Sequence, residues 1–336
     1  MTTANTPPIQ NNLTKRALIL GATGNFGASM ARALLAHGWQ ISALQRDPTA
    51  ARQAQPDLVI EWIAGDAMQA DDVARAAQGV SVIVHAVNPP NYQRWRELAL
   101  PMLDNSIAAA RAQNARIVLP GNVYNYGPDA GSYIAEDAPQ HPQTQKGQVR
   151  VEMEEILQQS GVPTLIMRAG DFFGGGSPSA WFHYMFRAGQ PLSSMLYPGD
   201  RSIRREWAYL PDMTEATVAL LDQPDALTTF ERFHYAGYAL TGQELIDAVR
   251  RVTQQPKLKV RRMPWWLIAL AAPFARLARE LNEMRYLWQE PLILDGRKLT
   301  TVLGSRFVQT PMEDALRASL TELGCLPVPQ DSAKLA

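Results

Sequence analysis

Seven residues near the start of the chain have types and spacing suited to holding phosphate: Gly21-Ala22-Thr23-Gly24-Asn25-Phe26-Gly27. The run Arg16 to Leu20 before them reads as a buried strand. Phe26 to His37 after them has helical spacing, with Met30, Ala33, Leu34 and Leu35 on one side and Gly38 as the stop. In such a strand–turn–helix unit the first glycine permits the sharp turn. The second lets backbone approach a pyrophosphate, and the third packs helix on strand. The helix N-terminus offers free N–H groups and the positive end of its dipole. Gly21, Thr23, Gly24, Asn25, Phe26 and Gly27 are therefore the expected contacts to a bound dinucleotide.

Which dinucleotide binds depends on the end of the second strand, read as Gln40 to Gln45. A binder of NAD places an acid about 20 residues past the first glycine to hold the ribose hydroxyls. Trp39 to Gln45 contain no acid, and Arg46 comes next. A guanidinium suits a 2′-phosphate in charge and in fork geometry. NADPH is the expected cofactor, with NAD as the alternative, because a one-residue shift of the strand end would present Asp47 instead.

The elements that must position these residues alternate. Further strands are expected at Leu58 to Ile63, Val80 to Val87, Arg116 to Leu119 and Pro163 to Arg168. Helices are expected at Ala67 to Ala77, Arg94 to Gln113 and Gly147 to Ser160. Repeated βαβαβ order implies an α/β class, a doubly wound parallel sheet of Rossmann type. Gly170 to Arg205 is rich in glycine, proline and aromatics and shows no regular pattern. Later elements are a helix at Pro211 to Leu221, a strand at Arg232 to Tyr235, a helix at Thr241 to Thr253 capped by Thr241 and Glu244, and a final helix near Pro311 to Leu323. The expected division is a flexible tail over 1–14, a dinucleotide-binding domain over 15–170, and a smaller C-terminal substrate lobe over 171–336, with 206–236 returning to the main domain.

The Gly-x-x-Gly-x-x-Gly spacing resembles the turn of the extended and atypical short-chain dehydrogenases/reductases, the epimerase/dehydratase-like group. Gly65-Asp66 resembles that family's adenine-binding pair. His85-Ala86-Val87 resembles the segment lining the nicotinamide ribose, and Tyr126-Gly127 the Tyr-Gly after the fifth strand. Trp207-Ala208-Tyr209-Leu210-Pro211-Asp212 sits where the family has its late V-x-D segment. The resemblance spans about residues 15 to 240 and implies cofactor contacts at Asp66, Ala86, Val87, Asn88, Lys146 and Arg150.

Active members of that family use a Ser or Thr with a Tyr-x-x-x-Lys pair, and here the pattern departs. By counting, the serine position falls at Asn122, the tyrosine position at Lys146 and the lysine position at Arg150. No tyrosine occurs between Tyr133 and Tyr184. Three readings stand. Lys146, desolvated beside a second cation, Arg150, donates the proton, as in the isoflavone-reductase type. A loop tyrosine, Tyr124 or Tyr126, donates it. Or no chemistry occurs, and the domain senses NADP(H) as the NmrA-like regulators do. A ribose or phosphate contact without catalysis is the plainer role for Lys146.

Asn88, Tyr92, Asn122, Tyr124, Asp171 and His183 are the other polar candidates near the reacting end. Asp171 either orients a water or a substrate hydroxyl, or caps a helix or pairs with an arginine. His85 reads as a core histidine. Phe172, Phe173, Trp181, Phe182, Tyr184, Met185, Phe186, Tyr197 and Trp207, joined later by Trp265, Trp266, Tyr286 and Trp288, suit an apolar or ring-bearing ligand, although most read as core between the lobes. Arg201, Arg204 and Arg205 read either as an anion site or as a solvated loop.

Composition excludes other classes. Lys plus Arg and Asp plus Glu number 32 each, which leaves no basic footprint for nucleic acid. The five histidines lack metal-ligand spacing and Cys325 is the lone cysteine, so neither a metal nor a disulfide is expected. The first fourteen residues lack signal-peptide character, and a cytoplasmic location is expected. The apolar run Pro264 to Phe274 is too short to span a bilayer. It reads as a buried helix of the smaller lobe, with an interfacial anchor as the alternative. The functional expectation is an NADPH-dependent oxidoreductase acting on a small, largely apolar carbonyl or activated alkene, and a homodimer is an open expectation. The competing readings are the non-catalytic regulator and a nucleotide-sugar epimerase or dehydratase.

Overall fold

A computed structural model describes residues 15–89, 95–175 and 181–327. The expected tail, residues 1–14, and Tyr92 lie outside the described residues. Strand and helix alternate through the first half: β1 (Arg16–Leu20), α1 (Asn25–Ala36), β2 (Gln40–Gln45), α2 (Pro48–Ala54), β3 (Glu61–Ala64), α3 (Ala70–Ala76), β4 (Val82–His85), α4 (Trp95–Gln113), β5 (Arg116–Gly121), β6 (Tyr133–Ile134), α5 (Gln145–Ser160) and β7 (Thr164–Ala169). The second half holds β8 (Asp171–Phe173), α6 (Trp181–Met185), β9 (Ser194–Tyr197), β10 (Arg204–Tyr209), α7 (Leu210–Leu221), β11 (Phe230–Tyr235), β12 (Tyr238–Thr241) and α8 (Gly242–Val252). It ends with β13 (Lys259–Arg262), α9 (Trp265–Ala271), α10 (Arg276–Glu283), β14 (Ile293–Leu294), α11 (Arg297–Leu303) and α12 (Met312–Glu322).

Seven strands form one parallel sheet in the order β11-β7-β5-β4-β1-β2-β3. The strand order reverses between β1 and β4, which makes the crevice beyond their carboxyl ends the topological switch point where ligands of such sheets bind. Side chains of β1 alternate between two cores. Ala17 and Ile19 pack with Met30, Leu34 and Met213 on the α1–α7 face. Leu18 and Leu20 pack with Val73, Leu103 and Leu157 on the α3–α4–α5 face. A strand covered on both faces must be apolar throughout, and burying each Leu or Ile contributes about 1.5–3 kcal/mol. Thr241 and Glu244 cap α8 reciprocally, as their spacing predicts.

Several boundaries differ from expectation by a few residues, and local contacts explain some of them. The third strand starts at Glu61, because its register against β2 opens with Ser42 opposite Glu61, while Leu58 turns back to the Gln55 carbonyl (3.2 Å). The third helix starts at Ala70, because Asp66 Oδ1 accepts from the Met68 N–H (3.0 Å) and holds 66–69 in a turn. Residues 206–209 belong to a small sheet, β12-β10-β8, while Ala208 among them packs in the core of the main sheet beside α7. α11 also packs on that domain, through Leu299 and Leu303. The stretch 170–205, irregular to the eye, contains strands. β8 pairs with β10, and β9 with β13, partners too distant for a local pattern to reveal.

The second lobe has its own core. Trp288 stands edge-on to Trp181 (5.3 Å) and Tyr197 (5.7 Å) and packs with Trp207, Phe182, Leu245 and Leu316. Most of the predicted aromatic cluster is therefore core. The run 264–274 is not: α9 buries none of its residues, and Trp266, Leu267, Leu270 and Phe274 are exposed. Among the described residues, no element covers this face. No helix among the described residues is long and apolar enough to cross a membrane. No group of three or more His, Cys, Asp or Glu among them is placed to hold a metal ion.

Candidate cofactor and active-site cleft

A cleft of about 240 Å³ opens over the carboxyl ends of β1, β4, β5 and β7. Its entrance is the turn after β1. Gly21 has φ +91°, and a Cβ there would lie 2.6 Å from the Ala86 carbonyl oxygen. At Gly27 a Cβ would lie 2.2 Å from the Gly21 carbonyl oxygen. These two positions demand glycine for shape. Gly24 differs: the one atom its Cβ would approach is Gly21 O, at 3.3 Å, and the residue itself lines the cleft. As the N-cap of α1 it has no side chain to occupy the first-turn amides. Asn25 Oδ1, beside it, is buried and has no hydrogen-bond partner among the described residues. A phosphate-sized cradle with unused polar groups fits a dinucleotide.

Further along β2, the strand ends at Gln45, whose Nε2 donates to Thr23 Oγ1 (3.3 Å), and Arg46 is exposed. Asp47 is committed elsewhere: its side chain accepts from the Ala50 N–H (3.0 Å) and caps α2. Asp66 faces the loop after β3, where its N–H donates to Asp72 Oδ2 (2.9 Å).

The inner end of the cleft is assembled from α5 and the loop after β5. Thr144 caps α5 by accepting from the Gly147 N–H (3.0 Å). A Cβ on Gly147 would lie 2.3 Å from the Tyr124 carbonyl oxygen, so only glycine lets the first turn of α5 sit against that loop. This close approach brings Lys146 beside Asn122 and Tyr124 in the cleft wall. Asn122 Oδ1 accepts from the Tyr124 N–H (2.9 Å), and its carbonyl accepts from buried Arg168. Arg168 is held in turn by Glu154 (2.5 Å), which also accepts from Asn125 (2.9 Å) and Arg232 (2.9 Å). A buried carboxylate of α5 thus fixes the loop that carries two candidate residues.

Lys146 is itself buried and is ion-paired with Glu280, with Glu283 at 3.7 Å. Both acids belong to α10, whose Leu281 lines the cleft together with Met284 at its end. Arg150 also lines it, stacked over Trp95 (5.3 Å) and donating to Asn88 Oδ1 (2.8 Å). The immediate neighbours of Lys146 are therefore carboxylates as well as the predicted cation. Asp171 pairs with buried Arg205, whose Nε lies 3.2 Å away. Arg205 stacks on Trp288 (4.0 Å), which rules it out of a solvated loop.

Residues 17–235 match the family model described as the NAD dependent epimerase/dehydratase family. The chain belongs to that family. A curated relative, the 3-diazoavenalumate denitrifying reductase of a Streptomyces species, is 29% identical over 180 residues, which covers 48% of this chain and 58% of that protein. Among solved structures, UDP-glucuronic acid 4-epimerase from Bacillus cereus, in complex with UDP-glucuronic acid and NAD, superposes with a TM-score of 0.71 at 16% identity, over 92% of this chain and 98% of that one. The dTDP-glucose 4,6-dehydratase DesIV from Streptomyces venezuelae does so with a TM-score of 0.70 at 18% identity, over 91% and 96%. At these identities the likeness is one of fold.

Within this family member, the cleft gathers Gly24, Asn25, Phe26, Ala86, Asn88, Asn122, Tyr124, Lys146, Arg150 and Asp171. Gly21, Thr23, Gly27, Arg46, Asp66 and Val87 do not line it and lie about the turn or beyond it. Tyr126 is a correction: it is fully buried, its hydroxyl bonds His234 Nε2 (3.0 Å), and burial pushes its pKa up, so it does not serve the cleft. His183 is likewise not in the wall. His85 is core, with Nδ1 2.8 Å from Ser106 Oγ, and burial, aided by Arg150, pushes its pKa down to about 3. Glu280, Glu283, Leu281, Met284 and Trp95 were missed. Glu280 and Glu283 had one signal, two acids at i, i+3 just after an apolar run.

Proposed function

We propose that the protein is an NADPH-dependent reductase of a small, largely apolar carbonyl or activated alkene, with Lys146 delivering the proton. One observation carries this reading: a buried lysine, braced by two acids, faces the cleft that begins at an open glycine cradle. When bound, NADPH supplies a hydride. The first-turn amides at Gly24 to Phe26 take the pyrophosphate, and Arg46 takes the 2′-phosphate, a role helped by the diversion of Asp47 into a cap. Asn122 and Tyr124 orient the acceptor group. Lys146 Nζ gives up its proton to the reduced substrate. Glu280 and Glu283, whose side chains are part-exposed, hold the ammonium and give it a route to protons from solvent. Trp95, Phe172, Trp181, Leu281 and Met284 make the walls apolar and exclude water.

The reductase name of the Streptomyces relative agrees with this reading. A second reading, nucleotide-sugar epimerase or dehydratase, is favoured by the fold shared with the UDP-glucuronic acid and dTDP-glucose enzymes. It lacks the Tyr-x-x-x-Lys pair at the Lys146 and Arg150 positions. The test is NADPH consumption against aldehydes, ketones and enones, with UDP- and dTDP-sugars run in parallel. The expected result is turnover of an apolar substrate, lowered about 10²–10⁴-fold by Lys146→Ala with NADPH affinity kept. Turnover undiminished in that variant removes lysine as the donor. Conversion of a nucleotide sugar replaces the reading with the second one. Tight NADPH binding with no substrate turned over favours the sensing role.

A further inference from the structure

The apolar face of α9 has no use in the cofactor site or in the core of the lobe. Trp266 is 69% exposed, Leu270 67% and Phe274 90%, with Leu267 between them. Residues 266 and 270 stand at i+4 and 267 and 270 at i+3 on α9, so they share one side, and Phe274 follows in the turn that closes the helix. Large apolar side chains gathered on a surface mark a docking site. The helix is held firmly from beneath: Trp265 Nε1 donates to the Pro198 carbonyl (2.6 Å), and its ring packs on Trp181 (6.5 Å). The apolar face is thus presented on the side of α9 away from Trp265.

Charge says what it meets. From Lys257 to Arg279 the sequence carries Lys257, Lys259, Arg261, Arg262, Arg276 and Arg279 and no acid, although the chain as a whole is neutral. Lys257, Lys259, Arg261, Arg262 and Arg279 are exposed. Near this strand, the N–H (2.8 Å) and hydroxyl of Ser202 hold Asp200 ionised, and Arg262 adds to this. Exposed Trp, Leu and Phe flanked by cations are the composition of an interfacial segment that lies on a bilayer without crossing it. At about 1.5 Å per residue, the seven residues of α9 reach about a third of a bilayer core.

We propose that β13 and α9 dock the protein on an anionic phospholipid surface, with Trp266, Leu270 and Phe274 entering the headgroup layer. A short turn joins α9 to α10, whose Leu281 lines the cleft with Met284 just beyond it, so the docked face adjoins the cleft wall. This inference does not depend on the redox reading.

The test is co-sedimentation of the full chain with vesicles of phosphatidylcholine alone and of phosphatidylcholine with phosphatidylglycerol. The expected result is retention at least about tenfold greater on the anionic vesicles, weakened by salt. The triple variant W266S/L270S/F274S loses retention on both, and K259E/R261E loses the preference for phosphatidylglycerol. Because all five side chains are exposed, the variants keep the wild-type unfolding midpoint, checked in the same preparation. Equal retention of wild type and triple variant overturns the proposal, as does absence of retention on either vesicle. A wild-type dimer that the triple variant converts to monomer, with no vesicle binding, overturns it in favour of a second copy of the chain.

Discussion

The glycine-turn end of the cleft and the end around Lys146, the proposed phosphate and reacting ends, are built by different means. At the phosphate end, Gly21, Gly24 and Gly27 lie within one turn, and the atoms that constrain them belong to that turn or to the adjoining strand end at Ala86. At the reacting end, Lys146 is braced by Glu280 and Glu283 from a helix late in the chain, and Asp171 is answered by Arg205 from another sheet strand. The first is backbone geometry, where a single methyl group is forbidden. The second is side-chain electrostatics, where partners arrive only after the lobes pack. Local geometry leaves a pattern in the sequence. Long-range pairing leaves isolated charged residues that look like any others.

Breaking the first region should have the larger effect. In Gly27→Val the new side chain has no room against the Gly21 carbonyl. We expect NADPH affinity to fall beyond measurement, more than about 100-fold, together with a lowered unfolding midpoint. Retained affinity by fluorescence titration would show that the turn does not hold the coenzyme.

Breaking the second region costs stability before it costs binding. Asp171→Ala leaves the buried Arg205 guanidinium without its carboxylate, at about 3–5 kcal/mol. Chemical denaturation should show that loss, whereas Asp171→Asn, which keeps an acceptor, should lose less. If both variants unfold like wild type, the pair is not structural.

A pH scan sharpens the contrast further, because the lobe holds a carboxyl that its surroundings disfavour as an anion. Burial raises the pKa of Glu206 from 4.5 to about 7 in the folded protein, against opposing bonds from the Leu294 and Gly237 amides. The folded state then holds the proton more tightly than the unfolded one. Its contribution is fully present below pH 4.5 and is lost as pH rises through about 7, amounting to about 3 kcal/mol across that window. Glu206→Gln should flatten the fall in stability between those values. An unchanged profile would place the slope elsewhere.

The smallest effect returns to the phosphate region. Arg46 is exposed, and any contact it makes to a 2′-phosphate is screened by solvent. Arg46→Ala should weaken NADPH binding about tenfold and leave NADH binding unchanged. Equal effects on both coenzymes would remove the argument for NADPH.

Much of the fold was legible because its cause is local. Leu18 and Leu20 alternate with Ala17 and Ile19 in a strand buried on both faces, and Thr241 and Glu244 announce a helix by bonding each other. The glycine spacing marked the cradle for the same reason. The candidate site was half legible: counting placed Asn122 and Lys146, but it also offered Tyr126, whose side chain the fold turns into the core toward His234. Counting along a chain gives the position of a residue and not the direction of its side chain.

The sequence by itself determined the doubly wound order and the glycine turn that opens α1, since each depends on neighbours within a few residues. Only the tertiary structure decided which charges meet and which apolar run stays outside. The acids of α10 close over Lys146, Asp171 is neutralised by Arg205, and α9 keeps its aromatic face in solvent. Those outcomes depend on which surfaces are left uncovered once every other element has packed, a property of the whole chain that no short stretch of it encodes.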